Sequence, residues 1–284
     1  MPQLLVLDID GTLLNSDDIV TPVVKQAIED VRLQGIEVAL ATGRRVGSTR
    51  RVVEEIGVHL PIVTFNGALV WDTRFERAIH ELPFSSSVLG RVIQLCQDYR
   101  VAPVLLQGPE QGERIFVPLA NGIHPSYLEW FLDPRREEVD ELTYDELSQV
   151  PGVLTVDVFG PELALQDIGR DIAELEAQVY DVGEVSVQAD PPNWALNVHM
   201  PGASKAAGVQ VLARALGCTL ADVVAVGDGN NDLPLLEAAG IGVAMGNAPD
   251  EVKARADAVV VGHDEDGVAE AIERFVLAPA AERR

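Results

Sequence analysis

Short aliphatic runs that each stop at a small polar loop, then give way to a helical pattern, constrain this 284-residue chain most. Leu4 to Leu7 runs into Asp8-Ile9-Asp10-Gly11-Thr12, and Ile36 to Ala41 runs into Thr42-Gly43-Arg44. Pro61 to Phe65 leads to Asn66-Gly67, and Asp222 to Val226 leads to Gly227-Asp228. Strands apolar at every position are buried on both faces, as in parallel sheets covered by helices. The intervening segments Pro22 to Gln34, Val46 to Ile56, Ser204 to Leu216 and Leu233 to Ala239 read as helices. Ile241 to Ala244, Asp250 to Ala256, Ala258 to Val261 and Gly267 to Val276 continue the strand–helix alternation. This order predicts an α/β fold built on a parallel sheet.

The middle of the chain breaks the pattern. Ala68 to Trp71 and Ala78 to Leu82 read as a hairpin. Beyond Pro83, hairpin-like strands are expected at Val104 to Leu106, Arg114 to Val117, Val153 to Phe159, Val185 to Gln188 and Ala195 to Val198. Helices Ser87 to Tyr99 and Glu162 to Gln178 separate some of them, and the Pro-, Asp- and Glu-rich stretch 119–150 carries no assignable period. The expected organisation is a core from 1–82 plus 199–284, with a separate α/β module over 83–198 inserted into it. The final residues, rich in Ala, Glu and Arg, read as a frayed tail.

Composition excludes several classes of partner. Hydrophobic residues are 47% and aromatics 5%, so the core is aliphatic. A net charge of -24, spread along the chain, repels nucleic acid and anionic membrane surfaces. No apolar run approaches a membrane span. Cys96 and Cys218 are isolated, and the first strand begins just after Met1, so a cytoplasmic protein is expected. His59, His80, His124, His199 and His263 are scattered and give no zinc spacing. The lysines are Lys25, Lys205 and Lys253 alone, so a lysine in a site has little background to hide in.

Sites in open parallel sheets form beyond the carboxyl ends of the strands. The unusual polar residues collect at those ends: Asp8 and Asp10, Thr42 and Arg44, Asn66, then Asp228 with Asn231 and Asp232. In an extended segment Asp8 and Asp10 point the same way, and two close carboxylates need a shared cation or proton. Carboxylate and carboxamide oxygens suit Mg2+, which takes one or two protein carboxylates and keeps waters. Asp228, Asn230 and Asp232 also have the spacing of a calcium loop. That reading fails at Leu233, where the turn needs Gly, and at Ala239, where a bidentate Glu is required. Gly202-Ala203-Ser204-Lys205 opens a helix whose free N–H groups and lysine make a place for an anion; a plain Ser204 cap is the alternative. Together these groups suit phosphoryl transfer through a covalent intermediate on a carboxylate.

The order Asp8-x-Asp10-Gly11-Thr12, Thr42-Gly43-Arg44, Lys205, Gly227-Asp228-x-x-Asn231-Asp232 resembles the haloacid dehalogenase superfamily. Phe65-Asn66-Gly67-Ala68, Ala244-Met245-Gly246-Asn247-Ala248 and Glu265-Asp266-Gly267-Val268-Ala269 are similar to its Cof-type phosphatases. The resemblance implies a Rossmann-like core with an inserted α/β cap that sets specificity. It makes Asp8 the nucleophile and Asp10 the acid–base group. Mg2+ would be held by Asp8, the Asp10 carbonyl and Asp228, with Asn231 and Asp232 positioning it. Thr42 and Lys205 would bind the phosphoryl group, Lys205 also offsetting the charge on Asp8. Gly11, Gly43, Arg44, Asn66 and Asn231 are the candidate substrate contacts, and Tyr127, Trp130, Asn193 and Trp194 are candidates in the cap. The chain departs from many relatives at Ala206, where Gly is common, and at Leu196-Asn197-Val198, where an acidic residue is common. The implied activity is a phosphatase for a small phosphorylated metabolite, a sugar phosphate foremost. A phosphosugar mutase of the same fold and a non-catalytic phosphometabolite-binding protein are the alternatives. The latter has no need for Asp10.

Overall fold

The computed structural model describes residues 2–57, 59–119, 132–175, 178–184 and 194–278. The chain divides into two compact units, Met1–His80 with Ser204–Arg284, and Glu81–Ala203.

The first unit is built on strands β1 (Leu4–Leu7), β2 (Glu37–Ala41), β3 (Pro61–Thr64), β4 (Leu69–Asp72) and β5 (Arg77–Glu81), joined by three later strands. Those are β12 (Val223–Gly227), β13 (Ile241–Ala244) and β14 (Ala258–Val259). The sheet order is β14-β13-β12-β1-β2-β3-β4-β5. Pairing is parallel from β14 to β3, and β4 runs antiparallel to β3. Every residue of β1 is fully buried, as an all-apolar central strand requires. Helix Pro22–Leu33 starts where the Thr21 hydroxyl accepts the Val24 N–H at 3.2 Å and Pro22 supplies a preset φ. Helix Val46–Ile56 ends at Gly57 in a left-handed conformation. Leu4↔Val223 through Leu7↔Val226 is the register that brings the ends of β1 and β12 side by side.

The second unit is a six-stranded sheet of β6 (Ala102–Gln107), β7 (Ile115–Pro118), β8 (Val139–Leu142), β9 (Val153–Gly160), β10 (Gln178–Glu184) and β11 (Trp194–His199). Its order is β10-β11-β9-β6-β7-β8. Helix Ser86–Tyr99 contributes Leu89, Val92, Ile93 and Cys96 to the core of this unit, and helix Glu162–Ala173 contributes Leu165, Ile168 and Ile172.

Three expectations need correction or completion here. The helix expected over Glu162 to Gln178 stops at Ala173, and Gln178 opens β10 instead. The stretch without an assignable period holds β8 and a short helix, Tyr144–Leu147, opened by a capping box between Thr143 and Glu146. The strand expected at Val185 to Gln188 lies outside the described residues, as do Tyr127, Trp130 and Asn193.

Candidate active site

Asp8 follows the last residue of β1, and its N–H donates to the Val226 carbonyl of β12 at 3.0 Å. Thr42 follows β2 and donates its N–H to Val63 at 2.8 Å, while the Asn66 N–H reaches the Thr42 carbonyl at 3.1 Å. Backbone bonds thus tie the end of β1 to β12, and the segment after β2 to β3 and to the loop that follows it. Beyond Asp8 the chain coils back through Ile9–Leu13, with the Leu14 N–H donating to the Ile9 carbonyl.

Gly11 is the pivot of that turn. Its φ is +73°, and a Cβ there would run into the Asp228 carboxylate. Thr12 then donates its hydroxyl to Asp228 Oδ1 at 2.9 Å. Asn247 donates to the Gly11 carbonyl at 2.8 Å and, more distantly, to Asp228 Oδ2 at 3.4 Å. Its own Oδ1 accepts the His263 N–H. The sequence alone assigns no role to Thr12 or Asn247, although they lie inside the motifs at Asp8–Thr12 and Ala244–Ala248.

Lys205 is the first residue of helix Lys205–Ala215, whose Ser204 cap accepts the Ala207 N–H at 3.0 Å. The lysine is 1% exposed. Its Nζ donates to Asp8 Oδ1 at 2.7 Å and to Asp232 Oδ1 at 2.6 Å. The second oxygen of Asp232 accepts the backbone N–H groups of Asp228 and Gly229, so both of its oxygens are committed to holding the site together. Asp8, Asp228 and Asp232 each bring one oxygen within 4.8 Å of the others.

Three carboxylates against one ammonium leave two negative charges uncancelled in a buried place. Burial, then Asp232, pushes the Asp8 carboxyl well above the ordinary range, although Lys205 pulls it down. Burial also raises Asp228, against the Thr12 hydroxyl that favours its anion. For Lys205 burial acts to lower the pKa, but Asp232 and Asp8 outweigh it and keep the ammonium charged. A divalent cation would meet this deficit. Among the described residues Asp8 Oδ2 has no hydrogen-bond partner, and Asp228 Oδ2 has only the distant Asn247 amide. Two hard carboxylate oxygens are the protein share that Mg2+ takes when it keeps waters and a substrate phosphate.

Asp10 does not join that acidic group. Its side chain is 59% exposed and clasped by Arg44, with Nε donating to Oδ2 at 2.8 Å and Nη2 to Oδ1. The sequence argument placed both carboxylates toward one site; the coil over Ile9–Leu13 sends them to different partners. Thr42 is buried, and its Oγ1 accepts the Arg44 N–H at 3.1 Å, which leaves the hydroxyl proton free to donate elsewhere. Gly43 lies against Asn66, whose Oδ1 accepts from Asn231 at 3.0 Å. Asn231 is therefore joined to the loop after β3 as well as to the loop after β12.

A family model described as haloacid dehalogenase-like hydrolase matches residues 5–272. The stress response protein YhaX of Bacillus subtilis (strain 168) is 31% identical over 272 residues, covering 94% of this chain and 91% of its own. From the same organism, 5-amino-6-(5-phospho-D-ribitylamino)uracil phosphatase YcsE is 29% identical over 275 residues, covering 97% and 96%. The solved structure of BT1666 from Bacteroides thetaiotaomicron, among the phosphatases of the haloalkanoate (HAD) enzyme superfamily, matches with a TM-score of 0.79 at 25% identity. The match covers 96% of this chain and 94% of that one. The chain belongs to the haloacid dehalogenase-like hydrolases. Its α/β fold is theirs, and it stands in their phosphatase branch, enzymes that hydrolyse phosphoric monoesters.

Proposed function

We propose that the chain is a Mg2+-dependent phosphatase that hydrolyses a small phosphorylated metabolite through an aspartyl-phosphate on Asp8. The observation that carries this reading is a buried Asp8 held at 2.7 Å by Lys205, with its other oxygen uncommitted, beside the half-buried Asp228. Asp8 and Asp228 would hold the cation together with the Asp10 carbonyl, while Asp232 and Asn231 keep the loop in place. Bound there, Mg2+ would neutralise charge on the phosphoryl oxygens.

The chain's own residues supply the rest. An Asp8 oxygen attacks phosphorus and the ester oxygen departs, taking a proton from the Asp10 carboxyl. Water then attacks phosphorus, giving its proton to Asp10, and the Asp8–phosphorus bond breaks to release phosphate. Thr42 and Lys205 donate to the phosphoryl oxygens during both steps. Arg44 fixes where the Asp10 carboxyl group sits, through the hydrogen bond from its Nε.

A sugar phosphate is the first substrate class to test, since a relative 29% identical acts on a phosphoribityl compound. All the catalytic groups named above lie in the first unit, so substrate choice falls to the module expected over 83–198. A net charge of -24 supports a small metabolite over a nucleic acid as substrate. Among the described residues no helix is long and apolar enough to cross a membrane. Cys96 and Cys218 are free and buried, which supports a cytoplasmic enzyme.

The test is phosphate release across a panel of phosphorylated metabolites. Asp8→Asn should abolish it while leaving the circular dichroism spectrum unchanged, and chelator should stop the wild type. Full activity in the variant contradicts the nucleophile, and chelator-resistant turnover contradicts the metal.

A further inference from the structure

At the opposite end of the first unit's sheet, by the amino ends of β2 and β3, lies a cavity of about 690 Å³. That is within the usual range for small-molecule sites. Its apolar floor includes Leu60, Ile79, Leu212 and Leu216. Its rim is the turn between β4 and β5, which carries Arg74, Phe75 and Arg77. None of these residues takes part in the chemistry proposed at Asp8.

Charge makes this rim unusual. The chain has 45 acidic residues against 21 lysines and arginines, so carboxylate partners are abundant. Yet among the described residues neither Arg74 nor Arg77 has one. Both guanidiniums instead lie over the Phe75 ring, 5.3 and 5.4 Å from its centroid. Even with the two guanidiniums against it, Phe75 is 60% exposed. Arg32, already paired with Glu29 at 2.9 Å, and His59 complete the wall.

The two carboxylates in the lining do not cancel this arrangement. Asp72 Oδ1 accepts the Arg74 and Phe75 N–H groups at 2.9 and 3.2 Å, so it fixes the turn that presents the arginines. Glu37, exposed at the start of β2, offers an acceptor for hydroxyl or ring N–H groups. Paired guanidiniums recognise phosphate, an exposed aromatic ring packs against a planar base, and a carboxylate takes ribose hydroxyls.

We propose that this cavity binds a nucleoside phosphate, its base against Phe75, its phosphates on Arg74 and Arg77 and its ribose toward Glu37. The site is separate from the metal-binding group at Asp8 and Asp228, and the proposal does not rest on the reaction assigned there.

The test is calorimetric titration of the full chain with ADP, adenosine and pyrophosphate. Chelator is present throughout, so that no nucleotide is held through a cation at Asp8. ADP should bind more tightly than either fragment. The double variant Arg74→Ala/Arg77→Ala should weaken ADP by roughly tenfold or more, the weight of a charged hydrogen bond. Phosphate release from a sugar phosphate should be unchanged in that variant, because both arginines are exposed and remote from Asp8. ADP should also slow hydrogen exchange in peptides spanning 72–79. Absence of ADP binding overturns the proposal. So does an affinity that the double variant leaves unchanged, pyrophosphate binding as tightly as ADP, or protection confined to peptides outside this turn.

Discussion

The ammonium of Lys205 and the carboxylate of Asp8 are 197 residues apart in sequence and meet at 2.7 Å in a buried site. The same Nζ reaches Asp232 at 2.6 Å, so one cation joins the end of β1 to the loop after β12. Removing one partner from a buried ion pair strands the other charge. Lys205→Met should therefore lose about 3–5 kcal/mol of stability as well as activity. Mg2+ should restore part of that stability by supplying the missing charge. Urea unfolding with and without the metal measures both effects, and a variant as stable as the wild type contradicts the argument.

Arg44 is bonded to Asp10 through two nitrogens, a fork that fixes where the carboxylate sits. Arg44→Ala should leave the fold unchanged, since Asp10 is exposed and its charge is readily solvated. It should lower kcat/KM by about tenfold to a hundredfold through misplacement of the acid–base group. Steady-state kinetics on any accepted phosphate ester decides this, and unaltered kinetics would remove Arg44 from the account.

Gly11→Ala attacks the site through the backbone. The φ of +73° disfavours a side chain, and the added Cβ would occupy space that the Asp228 carboxylate fills. The variant should lose more than about 1 kcal/mol of stability. Mg2+ bound at the proposed site should raise the melting temperature of the wild type, and the variant should lack that rise. A variant that keeps the full Mg2+-induced rise contradicts the placement of the cation beside Asp228.

Much of the first unit could be read in advance because its strands are apolar throughout and its loops carry strong breakers. Val46–Ile56 and Ile241–Ala244 have the bounds that their periodicity predicts. The second unit was harder for physical reasons. β10 pairs with β11 through a register shift between Tyr180 and Val182, and a shift of that kind breaks the alternation that marks a strand. β8 is short and acidic, so its pairing with β7 supplies what its sequence does not. At the site, the motifs name the residues but not their partners. That Asp10 turns to Arg44 while Asp232 turns to Lys205 follows from the path of the coil after β1 and from tertiary contact alone.

His199 gives the second unit a pH-dependent stability. It is fully buried on β11, its Nδ1 lies 3.1 Å from the Thr155 hydroxyl, and burial lowers its pKa from 6.5 to about 4. The unfolded chain then binds the proton more readily than the folded one. The contribution is complete above pH 6.5 and is lost as pH falls toward about 4. It amounts to about 3 kcal/mol. Urea unfolding of the wild type and His199→Gln at neutral and mildly acidic pH tests this. The wild type should lose more stability than the variant over that interval, and equal losses would contradict the assignment.

The central claim is that phosphate passes through Asp8. The most direct measurement mixes the enzyme with a radiolabelled aryl phosphate and Mg2+, quenches with acid within one turnover, and maps the label by peptide. The account predicts an acid-stable, hydroxylamine-sensitive label on the peptide containing Asp8, absent from Asp8→Asn. Release of phosphate with no covalent label on Asp8 at any quench time would contradict it.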